Sequence, residues 1–338
     1  MYTDEDLTYA VKKGVFSAES VDDFRLLLSK QKNSPSVDEE NFKLIGGFND
    51  IFVVIACLLL LFSAYWVMKS ITGFENLGHL TFACLSWFLA EFFIRKRKMA
   101  LPAIVLMLGF VGSLFSTVIA SFDSPSENEY ILASALATAG AIVHWIRFKV
   151  PITVAAGAGT VFALLTLIIL SAFPEAKDWL LSIIFVGGLL IFYLAMRWDA
   201  KDTKRITHHS DVAFWLHLLA APLIIHPIFS NVGVLDGSES LGGIIIVVML
   251  FFITMLISIT IDRRAFMVSS LIYLLYAIAS LIQLYGGVGY SFALTGVLIG
   301  GMLLLLTAFW HKTRAAFVEK LPSKIQNLVP EIQKPQKQ

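Results

Sequence analysis

Ten stretches of this chain are each long and apolar enough to cross a lipid bilayer, and that feature leaves few folds open. A spanning helix needs roughly 20 mostly apolar residues to cross roughly 30 Å of hydrocarbon. The segments 50–69, 77–94, 99–120, 129–147, 150–172, 178–197, 211–230, 241–261, 265–285 and 289–310 meet that demand. Inside lipid, backbone N–H and C=O groups must be satisfied within the segment itself, so runs of this kind fold as helices. The expected class is therefore all-α, a polytopic membrane protein of about ten transmembrane helices. Composition agrees: 57% of the 338 residues are hydrophobic and 15% charged, where a soluble domain carries about 25% charged residues. A soluble enzyme, a disordered chain and a secreted disulfide scaffold are excluded on that ground. The narrowest division lies at Arg147-Phe148-Lys149, between the fourth and fifth segments. Pro151 suits the first turn of a new helix there, where its missing N–H costs nothing.

Lys and Arg set the orientation, because cytoplasmic loops retain them. Of the 26 basic residues, all but Lys69 and Lys177 fall on one side of a ten-span alternation. That side holds Arg95, Lys96, Arg97 and Lys98, then Arg147, Lys149, Arg197, Lys201, Lys204, Arg205, Arg263 and Arg264, together with both terminal segments. The opposite loops, 70–76, 121–128, 173–177, 231–240 and 286–288, are short and neutral or acidic. Both termini are expected in the cytoplasm. With no short apolar segment and cleavage site ahead of it, the first span is expected to serve as the insertion signal.

Three regions follow. Residues 1–49 read as a cytoplasmic N-terminal helical hairpin and linker, 50–310 as the ten-helix transmembrane domain, and 311–338 as a basic, frayed cytoplasmic tail. In the hairpin, Thr3 and Asp6 form a capping-box-like pattern, Lys12 and Lys13 close the turn, and Gly14 stops the helix. Ser17 caps a second helix with Val21, Phe24 and Leu28 on one face. This hairpin offers a surface for a protein partner. The Lys residues of the tail suit anionic headgroups. A net charge of +1 gives no field that would favour nucleic acid, and no nucleic-acid partner is expected.

The chain also carries signs of an internal duplication, a common device in transporters. Asn49-Asp50 opens the first span and Ser210-Asp211 the seventh. Tyr130, Ala133, Gly140 and Ala141 in the fourth match Tyr290, Ala293, Gly300 and Gly301 in the tenth at a constant offset of 160. Spans one to four and seven to ten are thus expected to form parallel four-helix repeats around a central helix pair. The alternative is chance similarity between apolar helices.

Ionisable groups inside hydrocarbon are costly and face a cavity or a partner. Glu91 lies in the second span, with Arg95 at i+4 offering a helix-surface ion pair. His144 stands within a turn of Arg147 and reads as interfacial. Asp50, Asp178 and Asp211 start helices and suit caps. The seventh span differs, because its run 215–227 holds His217, His226, Pro222 and Pro227. Each proline removes a backbone hydrogen bond, frees a carbonyl four residues earlier and permits a kink. Freed carbonyls beside imidazoles can build a polar site. His226, His217 and Glu91 are the candidate ligand or proton-binding residues, with Pro222 and Pro227 as the kink; each histidine could equally donate to a neighbouring carbonyl and only pack. Nine residues apart, the two rings fall on opposite faces of a straight helix at roughly 100° per residue. No metal spacing, Walker loop or Gly-x-Ser-x-Gly occurs, so no metal, cofactor or catalytic residue is assigned and an enzyme is disfavoured. Cys57 and Cys84 read as buried thiols. Gly296-x-x-x-Gly300 and Ala155-x-x-x-Gly159 suit close helix packing.

The hairpin from Asp6-Leu7 to Phe24, the juxtamembrane Phe42-Lys43-Leu44-Ile45-Gly46-Gly47-Phe48-Asn49-Asp50 and the histidine–proline helix together resemble uncharacterised polytopic inner-membrane proteins of Gram-negative bacteria with a small N-terminal cytoplasmic domain. The resemblance implies a bacterial inner-membrane location and assigns no activity. From the residues, the expected function is a transporter-like permease for a small molecule or lipid, in contact with the lipid bilayer. The alternative is a non-catalytic scaffold or regulator acting through the N-terminal hairpin.

Overall fold

A computed structural model describes residues 4–31, 48–203, 205, 207–232, 241–284, 291–322, 326 and 329–330, and every regular element among them is helical. Two short helices, α1 (Asp4–Lys12) and α2 (Ala18–Gln31), come first. Gly14, at a φ of +72°, turns the chain after α1, a conformation that costs glycine little. Ser17 Oγ accepts from the Ser20 N–H at 3.0 Å and caps α2. Thr3 lies outside the described residues.

The longer helices are α3 (Phe48–Thr72), α4 (Glu75–Ala90), α5 (Ala100–Ile119), α6 (Glu127–Phe148), α7 (Ile152–Ala172), α8 (Leu180–Asp199), α9 (His208–Asn231), α10 (Leu241–Ile261), α11 (Ala265–Leu284) and α12 (Ser291–Val318). Eight segments, ending with Gly242–Ile261, are long and apolar enough to cross a membrane, and Ala265–Ala279 is a further apolar stretch. The chain is thus a multi-pass, all-helical membrane protein whose outer faces contact lipid. Helix α4 runs on into a π-helical turn, Glu91–Lys96. A 3₁₀ turn, Pro174–Trp179, precedes α8, so Asp178 lies in that turn.

Helix ends follow local chemistry. The Glu129 carboxylate accepts from the Ser126 N–H at 2.7 Å at the start of α6. Lys149 ends α6 in the left-handed region, and Pro151 then leads into α7. At α9 the cap is Thr207, whose Oγ1 accepts from the His209 N–H, not Asp211, which sits in the first turn. The reason is register: Asp211 already lies inside the helix, beyond the cap position. Helix α12 outlasts the expected end at 310 because Trp310, Arg314 and Val318 are buried. Beyond it, the few described residues of the C-terminal region are anchored. The Gln326 side chain donates to the Leu321 carbonyl at 2.8 Å, and Val329 and Pro330 are buried.

Packing begins with α3–α6, which share a core around Leu61, Leu106 and Met107. Helix α9 carries much of the rest. Its Leu216 and Ala220 pack with Ala155 and Ile191 of α7 and α8. Ala221, Ile225 and Phe229 pack with Val247 and Phe266 of α10 and α11. The α8–α9 contact is the most extensive between helices. It depends on Gly188, where an added Cβ would lie 2.9 Å from the Leu223 carbonyl carbon. That is the carbonyl left without its helical donor by Pro227. Small residues let helices approach this closely in lipid, where dispersion drives association. Gly159 lies in ordinary contact distance of Leu219, whereas Cβ atoms at Gly296 or Gly300 would meet no described atom within 4 Å. A tight glycine contact therefore lies in α8, whereas the Gly-x-x-x-Gly of α12 makes none among the described residues. Cys57 is buried and Cys84 is exposed on the outer surface, because Cys84 faces away from the α3–α5 contacts of its helix.

Candidate functional site

The densest buried polar cluster lies where the basic-side ends of α8, α9, α10, α11 and α12 meet. Three carboxylates, Asp199, Asp202 and Asp262, and three guanidiniums, Arg205, Arg263 and Arg314, are each at most 8% exposed there. Such groups are almost never fully buried unless paired. Their pairing is specific.

The turn between α10 and α11 places two of them. Asp262 adopts a φ of +57°, and the Arg263 N–H reaches back to the Ser258 carbonyl at 3.0 Å. This six-to-one bond is a Schellman closure with aspartate where glycine is usual. The Ser258 hydroxyl also donates to the Arg263 carbonyl. Closing α10 this way turns the Arg263 side chain inward. Its Nη2 donates to Asp199 Oδ1 at 2.6 Å, and its Nε lies 3.3 Å from Oδ2. The same Nη2 reaches the Ser210 carbonyl and hydroxyl, both at 3.1 Å. One guanidinium thereby joins the end of α8 to the start of α9.

His217, about two and a half turns into α9, completes this arm. Its ring is fully buried, and Nε2 stands 2.9 Å from Asp199 Oδ2. Phe192 meets the ring edge to face at 5.4 Å, with Phe266 beyond. Against an ionised Asp199, Nε2 carries the proton and donates, so Nδ1 presents a lone pair; the tautomer follows from that partner. Nδ1 is buried and meets no hydrogen-bond partner among the described residues.

A second arm centres on Asp262. Arg205 Nη1 donates to its Oδ2 at 2.9 Å, and Arg205 Nη2 donates to the Asp262 carbonyl at 2.9 Å. The Trp310 indole N–H donates to Oδ1 at 2.9 Å, and Arg314 Nε lies 3.5 Å from it. Arg314 Nη2 in turn holds the Pro330 carbonyl at 2.6 Å. Both members of the Arg205–Asp262 pair have positive φ, a conformation costing roughly 1–2 kcal/mol for a side-chain-bearing residue. The ion pair and the helix closure over-determine it. Burial, followed by repulsion from Arg263, pulls the Arg205 guanidinium below its ordinary pKa, while Asp262 and Asp199 oppose that shift. Asp202 accepts from the Thr207 N–H at 2.8 Å and so steadies the α9 cap.

The remaining expected positions are dispersed. His226 is exposed on the C-terminal half of α9, with Nδ1 2.7 Å from the Tyr273 hydroxyl and 3.4 Å from the Ser230 hydroxyl. His217 and His226 therefore face opposite ways and share no site. Pro222 is exposed and Pro227 buried, and α9 remains one helix through both. Glu91 pairs with Arg95 at 3.0 Å and, across helices, with Arg147 at 2.6 Å. It belongs to a surface ion triad joining α4 to α6. His144 is 1% exposed rather than interfacial. Trp87, Phe110 and Phe148 enclose its ring, and Nδ1 lies 3.2 Å from Thr153 Oγ1. Packing of α4 and α5 over that face of α6 removes it from the headgroup layer.

Sequence reasoning found His217 but missed its partners. Asp199, Arg205, Arg263 and Arg314 sit in charged loops or helix ends, where solvation is the ordinary fate. The available signal was Asp-x-x-Asp at 199–202 followed by a lone acid beside paired arginines at 262–264, within otherwise basic loops. Chemically, the cluster ties five helix ends through paired charges and leaves His217 Nδ1 without a hydrogen-bond partner among the described residues. No group of three or more His, Cys, Asp or Glu able to hold a metal ion occurs among the described residues. Comparison with protein-family models, with curated proteins and with solved structures finds no match.

Proposed function

We propose that this multi-pass membrane protein is a transporter-like permease of the bacterial inner membrane, with ten spans, both termini in the cytoplasm, and a small solute or lipid as substrate. The observation that carries this reading is the buried Asp199–Arg263–His217 arm, linked through Asp262 to Arg205 and Arg314. Replacing such pairs by packed apolar residues is often neutral or stabilising, so stability alone does not call for them. Intramembrane ionisable groups mark pathways and relays. Two carboxylates and three arginines tying five helix ends are suited to a closure on the cytoplasmic side, opened when pairs exchange during alternating access. His217, with one free nitrogen, is the candidate proton site of that closure. His226, beside Tyr273, is the candidate ligand position on the outer half.

The parallel-repeat layout belongs to the same proposal. It is supported by α3 packing on α5 as α9 packs on α11, and by α4 on α5 as α10 on α11. Against it, α3 packs extensively on α4, whereas α9 and α10 make no comparable contact among the described residues.

A second reading, a scaffold acting through the N-terminal hairpin, is favoured by Tyr9, Val15, Phe16 and Phe24, all exposed on α1, α2 and their turn. One experiment separates the two. Purified protein is screened for thermal stabilisation by metabolites and lipids, because a ligand of the folded state raises its melting temperature by mass action. Hits are then tested for uptake into proteoliposomes. Uptake that His217→Ala abolishes supports the permease; stabilisation only by a protein that binds the hairpin overturns it. Impermeant thiol labelling at Ser124→Cys, Ser238→Cys and Gly287→Cys from the periplasmic side checks the ten-span topology, and labelling of any of them from the cytoplasm refutes it.

A further inference from the structure

On the outer surface of α4, away from the buried cluster, a groove of about 420 Å³ is lined by Phe88, Glu91, Phe92, Arg95 and Lys96. We propose that it binds the phosphate headgroup and upper acyl chain of an anionic phospholipid. The groove arises from the π-helical turn Glu91–Lys96. Within it the Arg97 N–H bonds the Phe92 carbonyl at 3.1 Å, five residues back, and Met99 bonds Phe93 at 3.1 Å. One extra residue in the turn widens it, and such bulges concentrate at functional sites.

The lining divides along the membrane normal as a lipid does. Phe88 and Phe92, 68% and 42% exposed, form an apolar wall on the hydrocarbon side. One turn further, at the basic end of the helix, come Arg95, Lys96, Arg97 and Lys98. The single acid in the groove is already neutralised: Glu91 accepts from Arg147 Nε at 2.6 Å, Arg147 Nη2 at 3.2 Å and Arg95 Nη1 at 3.0 Å. Lys96 and Arg97 have no carboxylate partner among the described residues and instead flank one ring, each 5.8 Å from the Phe92 centroid. Two uncompensated cations over an aromatic wall match an anion carried on an apolar chain. A free phosphate would meet the cations and leave Phe88 and Phe92 unused.

The mechanism of affinity is simple. A Lys or Arg held against a headgroup bound in the groove contributes roughly fivefold in binding, so Lys96 and Arg97 contribute roughly 25-fold together. The test uses the full chain, purified and reconstituted in nanodiscs of phosphatidylcholine alone or with phosphatidylglycerol, read by thermal unfolding and by native mass spectrometry of retained lipid. The wild type is expected to retain phosphatidylglycerol preferentially and to unfold at a higher temperature with it. Lys96→Gln/Arg97→Gln removes two charges that hold no protein carboxylate, so folding is preserved, and is expected to weaken retention roughly 25-fold. Lys149→Gln/Lys201→Gln, which removes two exposed basic-side cations that likewise stand over tryptophan rings, is expected to leave it within about twofold. Three results overturn the site: equal loss in both double variants, equal retention of phosphatidylcholine, or full stabilisation by inorganic phosphate in lipid-free detergent.

Discussion

Replacing Arg263 with methionine tests whether the buried cluster holds the bundle shut. Methionine keeps most of the apolar stem and deletes the guanidinium. Asp199 then loses donors at 2.6 and 3.3 Å, and the Ser210 carbonyl and hydroxyl lose theirs at 3.1 Å. His217 alone remains on the carboxylate. Removing one partner of a buried ion pair costs about 3–5 kcal/mol, because the other charge stays buried without compensation. At about 2 °C per kcal/mol, the low end for chains of some size, the apparent melting temperature of Arg263→Met falls by about 6–10 °C. The companion variant, Asp199→Asn/Arg263→Met, removes both charges, yet the amide oxygen still accepts from His217 Nε2. It is expected to recover more than half of that loss. The assay is intrinsic fluorescence of the protein's seven tryptophans during heating in detergent, at one fixed scan rate because large proteins of this kind unfold irreversibly. A fall below about 2 °C in the single variant, or a double variant worse than the single, refutes the claim that the pair is buried and coupled.

Two further outcomes follow from packing and burial. Gly188→Ala forces a methyl against the Leu223–Ile224 backbone, at 2.9 and 3.0 Å, and against Ile224 Cγ1 at 2.8 Å. It is expected to destabilise by about 1–3 kcal/mol, whereas Gly296→Ala, with no described atom within 4 Å, gains about 0.5–1 kcal/mol from helix propensity; thermal unfolding of the two variants side by side checks the contrast. His226→Ala, on an exposed face, is expected to change stability by less than about 1 kcal/mol, while His217→Ala orphans part of a buried carboxylate and costs about 2–4 kcal/mol; equal effects would break the distinction between the two rings.

Much of the architecture was legible in the amino acids. The apolar runs predicted every long helix, and Pro151 after Lys149 predicted the α6–α7 break, because local backbone chemistry decides where a helix stops. The opposite facing of His217 and His226 was legible too, since nine residues rotate a helix by a known angle. The candidate site was not. Arg263 counts toward orientation as a loop arginine, and nothing in its neighbours says that the chain bends it inward. Glu91 showed its Arg95 partner at i+4, but Arg147 is 56 residues away. His144 looked interfacial from its distance to Arg147 along the chain, because no local rule reports which helices will cover it.

The sequence by itself determined that the chain is helical, that its apolar length must lie in lipid, and roughly where each helix begins and ends. These follow from terms summed over neighbouring residues: the cost of an unsatisfied peptide group in hydrocarbon, and the caps and prolines that close a helix. Which charges are buried together was decided only by tertiary structure. Asp199, Asp262, Arg205, Arg263 and Arg314 come from helix ends up to 115 residues apart, counted from 199 to 314. They meet because Gly188 lets α8 and α9 close on each other and because Asp262 turns α10 back in a left-handed cap. A charge in a loop is solvated unless distant helices converge on it, and that convergence is a property of packing that no local stretch of sequence contains.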